Sequence, residues 1–226
     1  MKQHKLAFLG FGNVGRALAR LFVAKTAELR DTYNMDWRIT GVASRSRGWL
    51  SHPEGFQVSE LLANSVAAGN SPGGAGVSSS PSTAITNISR STGIDEWLLK
   101  ARPDVVFETT SLNHQTGQPA IDYLTTVLKS GANAITANKG AVVYGYDQLN
   151  ELAQAANKQF FFEATVLDSA PVFSLFREAL PAAKLRGFSG IFNSTSNVVL
   201  ETMEAGRTFD EGVKMAQELG IAETDP

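Results

Sequence analysis

Six residues near the amino end, Gly10-Phe11-Gly12-Asn13-Val14-Gly15, set three glycines at G-x-G-x-x-G spacing between a short apolar run and an amphipathic pattern. The run Lys5 to Leu9 reads as a strand, and Val14, Leu18, Leu21 and Phe22 recur at helical spacing. In such a strand-turn-helix unit the first glycine permits the turn, the second lets a pyrophosphate approach the backbone, and the third lets the helix pack close. The helix start adds N–H groups and a positive dipole end. Gly10, Gly12, Asn13, Val14 and Gly15 are therefore predicted to bind a dinucleotide.

The end of the second strand selects between cofactors. An acidic residue there accepts hydrogen bonds from a ribose 2′-OH, whereas a 2′-phosphate requires cations. The segment "WRITGVASRS" reads as that strand, ending near Ala43 or Ser44, and it runs into Ser44-Arg45-Ser46-Arg47. Asp36 lies at the strand's opposite end. Ser44 and Arg45 thus point to NADP, with NAD as the alternative, because a guanidinium can pair with phosphate through two hydrogen bonds. Two further stretches, "ETTS" (Glu108 to Ser111) and "TANK" (Thr136 to Lys139), each follow an apolar run that reads as a strand of the same sheet. They should line the nicotinamide crevice at the carboxyl ends of the strands, with Thr110 and Ser111 on the cofactor. Lys139 could stabilise charge on an oxygen or carry a proton, or be an ordinary lysine after a strand.

These groups need a sheet and its crossovers to hold them. Strands are predicted at "DVVFETTS", "GANAITANKG" and "KQFFFEATV", with helices at "AIDYLTTVLKS" and "YDQLNELAQAAN" between them. Alternation of this kind implies an α/β fold, a Rossmann-like parallel sheet wound by helices. A Gly-, Ser- and Pro-rich stretch from Gly69 to Thr92 reads as a long loop. Beyond Val166 the pattern changes to a helix over "PVFSLFREAL", a strand over "KLRGFSGIFN", and helices at about Ser196 to Glu204 and Phe209 to Leu219. The expected division is residues 1–167 for the nucleotide domain and 168–226 for the start of a smaller α/β domain.

Composition narrows the partners. Hydrophobic residues make up 43% of the 226 and charged residues 19%, and 20 basic against 22 acidic side chains leave no footprint for nucleic acid. No run approaches the length of a membrane span, and the amino end lacks the pattern of a secretory signal. The chain has no cysteine, which suits a reducing cytoplasm. His4, His52 and His114 are too scattered for a zinc site and read as surface or loop residues.

In their order along essentially the whole chain, "GFGNVG", "ETTS", "TANKG", "FEATV" with a proline five residues after it, "GIFNSTSN" and "AQELGIAETDP" resemble homoserine dehydrogenase. The resemblance implies NAD(P)-dependent interconversion of L-homoserine and L-aspartate 4-semialdehyde on the route to threonine and methionine, by a cytoplasmic homodimer. It implies that the second domain serves substrate binding and dimerisation. It implies that Lys139 stands beside nicotinamide and substrate, that Thr110 contacts the cofactor, and that Glu223 binds the substrate's polar end. It implies a monovalent cation, such as sodium, held by Glu163 with the backbone carbonyls of Val166, Asp168 and Ala170.

Three positions depart from the family pattern. Ser194 replaces a glycine and should crowd the backbone, and Asp168 replaces a small residue in the cation loop. The sequence also stops at Pro226, before the family's substrate-binding aspartate and acid/base lysine. The expectation is a chain with an incomplete second domain, which binds cofactor through its complete nucleotide domain and scarcely turns over homoserine. The alternatives are a truncated, non-catalytic NADP-binding module, or a dehydrogenase of another small amino or hydroxy acid.

Overall fold

The computed structural model describes residues 1–63, 87–167, 170–191 and 193–222. The chain divides into two compact units, Met1–Thr165 and Val166–Pro226. In the first, β1 (Lys2–Leu9) leads into α1 (Asn13–Ala24), α2 (Thr26–Tyr33) and β2 (Met35–Ser44). A hairpin brings in β3 (Gly48–Ser51), followed by α3 (Val58–Leu62), β4 (Ser89–Ser91) and α4 (Ile94–Ala101). Then β5 (Val105–Glu108), α5 (Ala120–Lys129), β6 (Asn133–Thr136), α6 (Lys139–Ala155) and β7 (Phe160–Phe161) alternate along the chain.

The seven strands form one sheet in the order β4-β3-β2-β1-β5-β6-β7. From β2 to β7 all neighbours are parallel, while β3 and β4 add an antiparallel edge. The sheet is therefore mixed, where the sequence pattern alone predicts a parallel one. Strand periodicity sends alternate side chains to opposite faces, and both faces are covered. Leu6 and Phe8 of β1 join Ile39, Val42 and Phe107 under α1 and α3, whereas Ala7 and Leu9 join Val106, Leu124, Leu128 and Leu149 under α4, α5 and α6. Burial on both faces is why β1 and β5 read as unbroken apolar runs.

The strand order turns back on itself beside β1: the chain goes from β1 outward to β2 on one side and returns to β5 on the other. A crevice must open there at the carboxyl ends of the strands, because the connections from β1 and β5 leave in opposite directions.

Three corrections concern this unit. His52 is a loop residue, as read, but a buried one: its ring lies 5.6 Å from that of Phe56, and its backbone N–H donates to Thr40 O and draws the chain back against β2. The stretch from Gly69 to Thr92, read as loop throughout, ends in strand β4; residues 64–86 lie outside the described ones. The helix placed at Tyr146 begins seven residues earlier, at Lys139.

The second unit contains α7 (Val172–Ser174), which runs into a π-helical turn at Leu175–Ala179, then α8 (Ser194–Glu204) and α9 (Phe209–Glu218). Helix α9 starts with a capping box: the Thr208 hydroxyl accepts from Glu211 N–H and the Glu211 carboxylate accepts from Thr208 N–H. Gly212 lets α9 lie on α8, since a Cβ there would come within 3.0 Å of Val199 Cα. The strand predicted over "KLRGFSGIFN" is not formed among the described residues, and Leu185, Phe188 and Ile191 are exposed. A strand needs a neighbour to complete its ladder, and no described segment of this unit supplies one. Ser194 does not crowd the backbone: it opens α8, where Asn193 caps the helix by accepting from Ser196 N–H at 2.8 Å, and it is exposed.

Candidate functional site

At the turning point of the strand order lies a cleft of about 470 Å³. Its floor is the glycine turn. Gly10 has φ +87°, a left-handed conformation that side chains other than glycine's tolerate poorly, and its N–H donates to Ala43 O at 2.8 Å. A Cβ on Gly10 would stand 2.5 Å from Thr109 O, so the turn also requires glycine to fit against the end of β5. Gly15 is constrained in a similar way, since a Cβ there would stand 2.9 Å from Gly10 O. Gly12 is different: among the described residues no atom would lie within 4 Å of its Cβ.

The space in front of Gly12 is thus left open by the fold, and α1 begins there. Gly12 caps that helix without a side-chain hydrogen bond, and the first turn holds no acidic residue. Its leading N–H groups lack intrahelical partners and carry the positive end of the helix dipole. An anionic pyrophosphate fits this floor in both shape and charge.

One wall comes from the β2–β3 hairpin. Ser44 Oγ accepts from Arg47 N–H at 3.2 Å, closing a tight turn that Gly48 completes at φ +68°. The turn separates the two arginines. Arg45 is exposed at the cleft wall with Ser44 and Ser46, while Arg47 folds inward. The Arg47 guanidinium donates to Leu61 O at 2.9 Å and lies 5.1 Å from the centre of the Phe11 ring, so it braces the glycine turn from behind. Burial, and secondarily the nearby Arg16 charge, lowers its pKa. Among the described residues no aspartate or glutamate lines the cleft.

The same wall is aromatic. Trp49 stands edge-on between Trp97 and Tyr123, with ring centroids 5.6 Å away from each, and both Trp49 and Tyr123 face the cleft. Neither was legible as a site residue, since Trp49 sits on a four-residue strand and Tyr123 in the middle of an apolar helix pattern.

The far wall is built from the ends of β5 and β6. Glu108 is fully buried, and its carboxylate accepts from Thr110 N–H at 2.8 Å, from the Thr110 hydroxyl at 2.5 Å and from the Thr136 hydroxyl at 2.5 Å. Thr136 Oγ1 in turn accepts from Asn138 N–H at 2.9 Å, and the Asn138 side chain caps α6 by accepting from Gly140 N–H at 3.1 Å. Lys139 is the first residue of that helix and is exposed. One buried carboxylate therefore ties the "ETTS" stretch to the "TANK" stretch.

Of the residues singled out from sequence, Gly10, Gly12, Ser44, Arg45, Thr110 and Ser111 line the cleft together. Asn13, Val14 and Gly15 belong to the first turn of α1 behind it, and Lys139 to the start of α6, none of them in the lining. Glu163 lies in a single 3-10 turn at the end of the first unit, and Val166 and Ala170 belong to the second unit. Glu223 and Asp168 lie outside the described residues. Among the described residues no cluster of three or more histidine, aspartate or glutamate side chains could hold a metal, and no helix is long and apolar enough to cross a membrane.

The glycine turn, cleft and sheet coincide with a known pattern: the family model of the homoserine dehydrogenase NAD-binding domain matches residues 10–163, more than half of the chain. The chain belongs to the homoserine dehydrogenase family. A second family model, for homoserine dehydrogenase itself, matches residues 171–226. An NAD(+)-dependent homoserine dehydrogenase from Pseudomonas canavaninivorans is 33% identical over 230 residues, covering 100% of this chain and 61% of that protein. The chain thus spans about three fifths of the length of that relative. The homoserine dehydrogenase of Thermoplasma acidophilum has a similar structure, with a TM-score of 0.73 at 25% identity, over 100% of this chain and 63% of the other. A hyperthermophilic archaeal homoserine dehydrogenase solved with NADPH shares the fold at a TM-score of 0.75 and 24% identity, over 100% and 64% of the two chains. Membership fixes the chain's first unit as a Rossmann-like, NAD(P)-binding fold of an oxidoreductase family.

Proposed function

We propose that the protein is a homoserine dehydrogenase that interconverts L-homoserine and L-aspartate 4-semialdehyde with NADP. The observation that carries this reading is the open space at Gly12, in a cleft whose described lining has a cationic wall and no acidic one, within the matched NAD-binding region. Bound NADP would supply the hydride acceptor for C4 of homoserine. The N–H groups of Asn13, Val14 and Gly15 would hold the pyrophosphate, and Arg45 with Ser44 the 2′-phosphate. Thr110 and Ser111 would orient the nicotinamide, so that the reacting carbons are held at close range. The Lys139 ammonium would stabilise negative charge on the substrate's C4 oxygen as the hydroxyl proton departs. Glu223 would bind the polar end of the substrate.

In this reading the second unit is part of a substrate and dimerisation domain, the assembly is a homodimer, and the enzyme works in the cytoplasm. Full-length protein given L-homoserine and NADP should produce NADPH and the semialdehyde. Turnover of a different small amino or hydroxy acid in its place would reassign the substrate, since the fold does not fix it.

NADP rather than NAD is the sharper part of the proposal, and the relative from Pseudomonas canavaninivorans, described as NAD(+)-dependent, gives the opposite choice a specific basis. Replacing Arg45 by alanine should weaken NADP binding by about 1.5 to 3 kcal/mol, the scale of a charged hydrogen bond, and leave NAD nearly unchanged. Calorimetric titration of both cofactors measures this, and equal losses for the two would remove Arg45 from phosphate recognition.

A monovalent cation such as sodium completes the proposal, supported by the succession of Glu163, Val166, Asp168 and Ala170 along one short stretch. Oxygen ligands of this kind suit a hard ion. Sodium or potassium at fixed ionic strength should raise the melting temperature, since an ion bound only to the folded protein stabilises it. A Glu163→Gln variant that gains as much from these ions as the parent would speak against the site.

A further inference from the structure

We infer that Glu108 biases the site toward the oxidised cofactor, acting as an electrostatic positioning residue beneath the nicotinamide crevice. The inference rests on the reading of the cleft as an NAD(P) site. Glu108 ends β5, directly beside Thr136 of β6, and the next three residues, Thr109, Thr110 and Ser111, line the cleft. Its side chain is fully buried.

The hydrogen bonds hold it as an acceptor. Thr110 N–H can only donate, and Thr136 Oγ1, which accepts from Asn138 N–H, donates to the other carboxylate oxygen. Both carboxylate oxygens are met by donors, the Thr110 N–H and hydroxyl at one and the Thr136 hydroxyl at the other. Among the described residues no lysine, arginine or histidine nitrogen lies within 4.0 Å of it. Buried negative charge without a cation partner is costly, and its field is weakly screened in the nearby cleft.

The two forms of the cofactor differ in the charge at the place this field reaches. The oxidised nicotinamide ring is a cation. On accepting one hydride, a hydrogen nucleus with two electrons from substrate C4, it becomes neutral, and the hydroxyl proton of the substrate leaves separately. A carboxylate close to the ring therefore favours the oxidised form over the reduced one. Thr110, held by Glu108 through both its N–H and its hydroxyl, is positioned by the same group.

The test compares two dissociation constants in one protein. NADP and NADPH are titrated separately into the full-length parent and into Glu108→Gln, with binding followed calorimetrically. The variant should lose affinity for NADP relative to NADPH by on the order of tenfold, the scale on which removing one unit charge near a binding site acts at an effective dielectric constant of about 20. A purely structural role would weaken both forms alike, and an unchanged ratio would overturn the inference. Glu108→Asp should keep the parent's ratio even where both affinities fall, because it keeps the charge. If Glu108→Gln does not fold, Glu108→Met combined with Thr136→Val removes the carboxylate and one orphaned hydroxyl together, and the same shift in ratio is expected. A parent that binds neither NADP nor NADPH would overturn the cofactor reading itself, and this inference with it.

Discussion

Replacing Gly12 by valine should abolish cofactor binding while leaving the fold almost as stable as the parent. Apart from its chain neighbours, no atom of the described residues stands within 4 Å of a Cβ at this position, so the first side-chain carbon enters open space. The backbone at φ −81° and ψ −151° is extended with a negative φ, so the left-handed strain that fixes Gly10 as glycine does not arise here. The stability cost is that of a poorer helix cap, about 1 kcal/mol or less. The branched side chain fills the space in front of the α1 N–H groups instead. Loss of two hydrogen bonds to a charged pyrophosphate corresponds to an affinity loss on the order of 10²-fold or more. Gly10→Ala should behave in the opposite way. Its Cβ would stand 2.5 Å from Thr109 O at φ +87°, so the fold itself must give, at about 2 to 5 kcal/mol. Paired urea melts and cofactor titrations separate the two effects. A Gly12→Val protein that still binds NADP and NAD as the parent does would show that the pyrophosphate lies elsewhere.

Trp97→Ala should be among the most destabilising single substitutions in the first unit. Trp97 is fully buried, its indole N–H donates to Leu50 O at 2.7 Å, and its ring closes over Gly41, where a Cβ would come within 2.7 Å of Cζ2. Removing it leaves a large cavity and takes away the indole hydrogen bond to Leu50 O, at about 3 to 5 kcal/mol. The effect reaches the cleft, because Trp97 backs the ring of Trp49, which faces it. Denaturant unfolding should show the full loss, and Trp97→Phe should recover part of it by restoring volume without the N–H. A loss below about 1 kcal/mol, the level of an ordinary substitution, would contradict this account of the core.

The glycine turn was legible in sequence because its requirements are local: Gly10 must adopt a positive φ, and spacing alone marks it. The hairpin wall was not. Ser44-Arg45-Ser46-Arg47 offers two equivalent arginines, and only the turn closed by Ser44 and Gly48 decides that Arg45 faces the cleft and Arg47 the Phe11 ring. Strands β3 and β4 are four and three residues long, too short for an alternating pattern to emerge. The start of α6 was missed for a different reason. "KGAVVYG" carries two glycines and two β-branched residues, a poor helix by propensity, but Gly140 and Gly145 let the helix pack against Asn113 O and the Ile121 side chain. Tertiary contacts override the local preference there. Glu108 was seen only as part of a motif, since a buried hub is defined by partners 28 residues away such as Thr136.

The central claim is that this cleft brings a nicotinamide cofactor and homoserine together for hydride transfer. Its most direct measurement uses full-length protein, NADP and homoserine carrying deuterium at C4, with the reduced cofactor recovered and weighed by mass spectrometry. The account predicts reduced cofactor that carries one deuterium, and a Gly12→Val protein that forms none. Reduced cofactor without the label, or label transfer undiminished by Gly12→Val, would contradict it.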